Sequence, residues 1–262
     1  MHIEFRNKIA LVCGSSQGIG YAIARQFASL GATVILMARN AETLQAILPT
    51  LSTEHRQTHL MITADFDSHD SITQAITTNI DLLSHVDILI NNSGGPPGGS
   101  LLQTETDAFH VALQRLLMSS HSLSRAVSGG MKSRGFGRII NIISTSVKQP
   151  IDNLGVSNTI RGATASWAKT LATEVASSGI TVNNVLPGAT RTSRLEAIIE
   201  RTSINTGKSR DEVESDMLRE IPMKRFAESG DIANAVMFLA SEYASYITGT
   251  SIIVDGGRTK AL

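Results

Sequence analysis

Cysteine is all but missing. Cys13 is the one thiol in 262 residues, which excludes an internal disulfide and a cysteine-built zinc cage and fits a reducing, cytoplasmic setting. An excess of charge of either sign is missing too. Twenty-three basic residues balance twenty-three acidic ones, so no global field draws nucleic acid or an anionic membrane to the surface, and any anion site has to be local. Nor is there a long apolar run at the start. MHIEFRNKIALVCG sets Glu4, Arg6 and Lys8 ahead of a run of only Ile9 to Cys13, too short for a signal peptide or a membrane span. The seven histidines are scattered with no helical i, i+4 pairing to a carboxylate, so no metal site is expected. Repeats, charge blocks and low-complexity linkers are also absent, and a 42% hydrophobic content suffices for the core of one α/β domain over 1–262.

What is present is alternation. Short β-branched apolar runs at 8–13, 33–38, 60–64, 87–91, 138–143, 181–185 and 251–255 take turns with helical patterns near 18–30, 41–50, 69–83, 104–133, 156–178 and 229–241. Strands that are apolar on both sides, each followed by a helix, predict a doubly wound parallel sheet of about seven strands with helices on both faces. One irregular insertion, 189–228, is mostly polar and reads as two short helices. Placed after a strand, it is expected to lie over a ligand as a lid, a solvated helical hairpin being the alternative.

Cys13-Gly14-Ser15-Ser16-Gln17-Gly18-Ile19-Gly20 follows the first strand and runs into a helix. Glycines at 14, 18 and 20 let the backbone turn sharply and approach a pyrophosphate, whose charge then meets the helix N-terminus. With NNSG at 91–94, INIIS at 140–144, LPG at 186–188 and ITGTSIIVDGG at 247–257, the chain resembles the short-chain dehydrogenase/reductases, and in layout the bacterial 3-oxoacyl-acyl-carrier-protein reductases, over nearly its whole length. The resemblance implies a Rossmann-like fold. It also implies a dinucleotide held by Gly14, Ser15, Ser16, Gly18, Ile19, Gly20, Asp65, Phe66, Asn92, Ser93, Gly94, Pro187, Gly188, Thr190 and Thr192, with Asn91 bracing the sheet. An acidic side chain at the end of the second strand would bond the adenosine ribose. Arg39 stands there instead and offers a bidentate partner to a 2′-phosphate, which favours NADP over NAD. Two features depart from the family's pattern: Cys13 replaces a threonine, and Gln17 stands where many NADP enzymes carry a basic residue.

The family reduces a carbonyl with a serine that polarises the oxygen, a tyrosine that delivers the proton, a lysine that tunes the tyrosine and holds the ribose, and a helix asparagine. Ser144 fits the serine, with loop capping as its alternative. The family's spacing then places Ser157 at the tyrosine, Arg161 at the lysine and Leu116 at the asparagine. The chain's only tyrosines, Tyr21, Tyr243 and Tyr246, lie in or beside the first and last helices. Arg161, with an ordinary pKa above roughly 12, is no proton donor. It can hold the ribose, clamp an anionic substrate, or form a surface ion pair. Ser157 is a hydrogen-bond donor or a helix N-cap. Lys148, four residues past Ser144, is a further candidate or a solvated lysine, while His110 and His121 read as surface or packing residues.

These residues predict an NADP-dependent oxidoreductase acting on a small-molecule or thioester carbonyl, with Ser144, Ser157 and Arg161 at the reaction centre. The rival is an NADP-binding protein without redox turnover, and a third reading has Arg161 binding an anionic substrate for other chemistry. The family resemblance further implies a homodimer or homotetramer.

Overall fold

The computed structural model describes residues 2–261; Met1 and Leu262, the ends of the expected 1–262 domain, lie outside them. Seven strands form one parallel sheet in the order β3-β2-β1-β4-β5-β6-β7: β1 (Ile9–Cys13), β2 (Thr33–Ala38), β3 (Leu60–Thr63), β4 (Ile88–Asn91), β5 (Gly137–Ile142), β6 (Ile180–Pro187) and β7 (Ser251–Val254). Side-chain alternation divides the core. Ala10, Val12, Val34, Leu36, Ile88 and Ile90 pack against α1 (Gly18–Ser29) and α10 (Ser229–Ala240). Their neighbours Leu11, Cys13, Ile35, Met37 and Leu89 face α3 (His69–Thr78), α6 (Ser119–Arg134) and α7 (Gly155–Val175). A short α2 (Ala41–Ile47) follows β2.

Two helices expected to be continuous are not. The run near 69–83 breaks at Asn79, whose Nδ2 donates to the Ala75 carbonyl at 2.8 Å, so α4 (Ile80–Ser84) starts as a separate element. The run near 104–133 divides into α5 (Thr106–Leu113), a π-helical turn over Gln114–Met118, and α6. A π turn inserts an extra residue into the helical register and is common at functional sites. Here it carries Leu116.

The insertion contains two helices, as expected: α8 (Ser193–Thr206) and α9 (Arg210–Arg219). They bury a small core of their own, Leu195, Ile199, Val213, Ile221 and Phe226. Backbone bonds from Ala227 N to Ala189 O (3.0 Å) and from Arg191 N to Ala227 O (2.8 Å) close its base.

The sheet reverses its order between β1 and β4, and the loops leaving β1, β4, β5 and β6 all emerge at the same edge. Ligands of such sheets bind at that switch point. A row of buried amides ties these strand ends together: Asn91 Nδ2 donates to Asn141 Oδ1 (2.9 Å), and Asn141 Nδ2 donates to Asn184 Oδ1 (2.9 Å). Asn184 Nδ2 continues the row to Ser251 Oγ (3.1 Å). Replacing the middle member, Asn141→Leu, orphans a donor on one side and an acceptor on the other. Urea unfolding is expected to show a loss of about 1–3 kcal/mol for each; an unchanged midpoint would mean the row contributes nothing.

Candidate active site

The loop after β1 is held from three sides. Ser15 is fully buried; its N–H donates to Met37 O (3.4 Å), and its Oγ accepts from Met37 N (2.9 Å). Asn92 Nδ2 donates to the Cys13 and Gly14 carbonyls, both at 3.2 Å. A Cβ on Gly20 would stand 2.2 Å from Gly14 O, so only glycine lets α1 begin so close beneath the loop. The N-cap residue Gln17 forms no side-chain cap. The first N–H groups of α1 therefore point into the cleft without a protein partner, the arrangement that receives a phosphate. The residues present thus fit a dinucleotide's pyrophosphate.

The cleft occupies about 440 Å³. It brings together Gly14, Ser16, Gly18, Ile19, Gly20, Asn92, Ser93, Gly94, Ser144, Ser157, Arg161, Pro187, Gly188, Thr190 and Thr192, as expected from the sequence. Four expected residues lie elsewhere. Ser15 is a correction: both its N–H and its hydroxyl are spent on Met37, so it anchors the loop and presents no donor to a ligand. Phe66 packs on the core beneath α3 and α6, its carbonyl accepting from Ser119 Oγ. Asp65 forms the turn after β3, its Oδ1 accepting from Asp67 N. Arg39 is largely exposed outside the cleft and pairs at 4.0 Å with Asp65.

Ser144 stands two residues past the end of β5, where it caps the following turn and lines the cleft. Its Oγ accepts from Ser146 N (3.1 Å), capping the short turn over 145–147, while it lines the cleft with its own proton uncommitted. Ser157 is no N-cap. The cap position is Leu154, and Asn158 closes the helix start by donating from Nδ2 to Ile151 O (2.9 Å). That leaves Ser157 buried in the first turn of α7, where its Oγ accepts from Arg161 Nε at 3.1 Å.

Nor does Arg161 form a surface ion pair. It is 8% exposed, and its Nη1 donates to Ile143 O (2.5 Å) and Ile142 O (3.4 Å) at the end of β5. Burial, and then the charge of Arg194, pull its pKa down to about 10, below the ordinary value. It is still a cation at neutral pH and still no proton source. Leu116 packs with Ala112, Val156 and Ile160, which puts apolar carbon where an asparagine would bind water.

Lys148 is exposed and outside the cleft lining, which removes it as a candidate. Trp167 Nε1 donates to His121 Nδ1 (3.3 Å) with the rings edge to face, so His121 is a packing residue, and His110 is exposed. Tyr21 bonds Thr50, Tyr243 Oη donates to the His2 carbonyl, and Tyr246 is fully exposed.

The sequence reading missed two arginines. Arg115, in the π turn, forms a bidentate pair with Asp67 at 2.5 and 2.6 Å, which holds the Asp67 carboxyl below its usual range. Arg194, on α8, donates to Gly95 O (3.0 Å) and Pro96 O (3.1 Å). A trace was there in Arg194 and Arg201, seven apart on α8; Arg201 Nη2 donates to Gly98 O (3.1 Å), so both latch the insertion to the loop after β4.

With this arrangement established, residues 14–259 match the family model described as "Enoyl-(Acyl carrier protein) reductase". The chain belongs to the short-chain dehydrogenase/reductase family. It is 37% identical to the 3-oxoacyl-(acyl-carrier-protein) reductase FabG of Haemophilus influenzae, covering 96% of this chain and 98% of that one. It is 32% identical to the NADPH-dependent reductase BacG of Bacillus subtilis, over 97% of this chain and 99% of that one. Among solved structures, L-sorbose reductase from Gluconobacter frateurii, complexed with NADPH and L-sorbose, superposes with a TM-score of 0.93 at 30% identity over the full length of both chains.

Beneath the phosphate loop, Cys13 is fully buried and its thiol pKa is pushed up to about 12 by desolvation. A neutral thiol is a poor nucleophile. Ellman's reagent is accordingly expected to leave Cys13 unmodified at pH 8 in the folded protein and to titrate one thiol after unfolding in guanidinium; rapid labelling of the folded state would contradict this.

Proposed function

We propose that the protein is an NADP-dependent oxidoreductase that reduces a ketone, or oxidises a secondary alcohol, without a side-chain proton donor. The observation that carries the reading is the make-up of the cleft: Ser144 and Arg161 face it, and among the described residues its lining holds no tyrosine, lysine, histidine, cysteine, aspartate or glutamate. NADP is supported by Arg39 at the end of β2 and by the relatives whose names and structures carry NADPH. When bound, NADPH supplies the hydride.

The chain's own residues manage the charge. As a carbonyl carbon accepts hydride its oxygen becomes negative, and the uncommitted Ser144 hydroxyl donates to it. The Arg161 guanidinium, held beside Ser144 through the Ile143 carbonyl, adds a fixed positive charge in a poorly hydrated site, where it acts more strongly than in water. The proton that completes the alcohol comes from solvent at the open mouth of the cleft. The helices of 189–228, latched by Arg194 and Arg201, serve as the lid. Leu116 favours a second reading, NADP binding without turnover, because it removes the polar group that would bind relay water.

Fluorescence titration should show NADPH bound more tightly than NADH, and NADPH oxidation with at least one substrate of a carbonyl panel. Ser144→Ala should lower kcat by about 10²–10³ with NADPH affinity unchanged. Binding without oxidation of any substrate selects the second reading, and no dinucleotide binding ends both.

A further inference from the structure

The cleft has a charge imbalance that a neutral carbonyl compound does not answer. Three arginines line it, Arg161, Arg194 and Arg258, and among the described residues no carboxylate does. Arg258 is paired with Glu220 at 2.6 Å. Asp67 is engaged by both sides of the Arg115 fork, and Arg115 in turn donates to the Gly94 and Gly95 carbonyls. Among the described residues, Arg161 and Arg194 have no ion-pair partner, and each is held to backbone carbonyls or a hydroxyl only.

Both point at one spot. A Cβ on Gly95 would stand 3.1 Å from Arg161 Nη2 and 2.9 Å from Arg194 Nη2, so only glycine lets both guanidiniums pack against this one stretch of backbone. Arg161 Nη2 donates to no protein acceptor. A guanidinium lining a poorly hydrated cleft with donors left over is stabilised by an anion that meets them, and two such cations side by side, Arg194 with the hydrogens not given to Gly95 and Pro96, suit the two oxygens of a carboxylate. The surrounding wall is apolar, formed by Ile151, Leu154, Leu195, Ile198 and Met217.

We infer that the substrate of this site is a free oxo-carboxylic acid with an apolar body, its carboxylate held between Arg161 and Arg194 over Gly95. The inference rests on the oxidoreductase reading and narrows its substrate class, away from thioesters, which carry no charge beside the reacting carbonyl. Because Arg194 belongs to α8, the same contact couples carboxylate binding to the position of the 189–228 insertion.

The test is isothermal titration of the protein saturated with NADP+, which cannot reduce the ligand, with three matched ligands: an aryl-substituted 2-oxo acid, its methyl ester, and phenyl phosphate as a second anion. The acid should bind at least about tenfold more tightly than the ester, from one charge-assisted hydrogen-bonded pair. In Arg194→Gln that ratio should fall to about one, with an unchanged circular dichroism spectrum and a cooperative melt showing an intact fold. Gly95→Ala, which places a methyl group between the two forks, should abolish the preference for the acid as well. Equal binding of acid and ester by the unmodified protein, or stronger binding of the phosphate than of the acid, overturns the inference. So does a ratio that survives in a folded Arg194→Gln. NADPH fluorescence on the same proteins before NADP+ is added keeps the two claims apart: lost NADPH binding defeats the oxidoreductase reading, whereas intact NADPH binding with no acid preference defeats only the carboxylate.

Discussion

The hydrogen bonds from the Arg161 guanidinium to the last carbonyls of β5 are the contact on which the site depends. They pin the first turns of α7 to the end of β5 beside Ser144, and they fix a cation at the position that the resemblance gives to a lysine. A cation buried to this degree is stable only when its donors are met. Two carbonyls and the Ser157 hydroxyl meet part of the need. The remaining Nη2 opens onto the cleft, so the stability of the arginine and the chemistry of the ligand are linked.

Around that point the site divides into two halves. One half fits a pyrophosphate: a glycine loop tied down by Ser15 and Asn92, an uncapped α1, and a row of amides that fixes the ends of β4, β5, β6 and β7 relative to one another. The reacting half is rebuilt. Ser157, Arg161 and Leu116 form one substitution in physical terms, because a phenol, its ammonium neighbour and a water-binding amide work as a unit, and keeping one without the others would leave a buried polar group with no partner. The structure closes that gap by bonding Ser157 to Arg161 and packing Leu116 against Val156 and Ile160.

The fold was legible wherever the signal was local. Strand and helix periods located all seven strands, and glycine spacing located the phosphate loop, because both depend on neighbours a few residues apart. What escaped were features decided by distant contacts. The π turn at Gln114–Met118 has no periodicity signature, and the break at Asn79 turns on one side-chain amide capturing a backbone carbonyl. Ser157 looked like a cap because Ser-Asn commonly opens helices, yet Leu154 takes that position and Asn158 makes the closing bond to Ile151. Lys148 was placed near the site by proximity in sequence to Ser144, but the turn over 145–147 carries it outward. Arg115, Asp67 and Arg194 come from three separate loops and helices, so only the folded chain reveals that they surround the segment after β4.

The central claim is that a buried cation, not a titrating acid, manages the charge formed at the carbonyl oxygen. The direct measurement is the pH dependence of kcat/KM, which reports the protein before the oxo acid binds, for NADPH oxidation with an apolar oxo acid as substrate. The account predicts a rate level through neutrality that declines only as pH rises through about 10, where Arg161 loses its proton. A limb centred near neutral pH would contradict it, since that would require a proton-donating side chain such as a histidine, and among the described residues the cleft lining holds none.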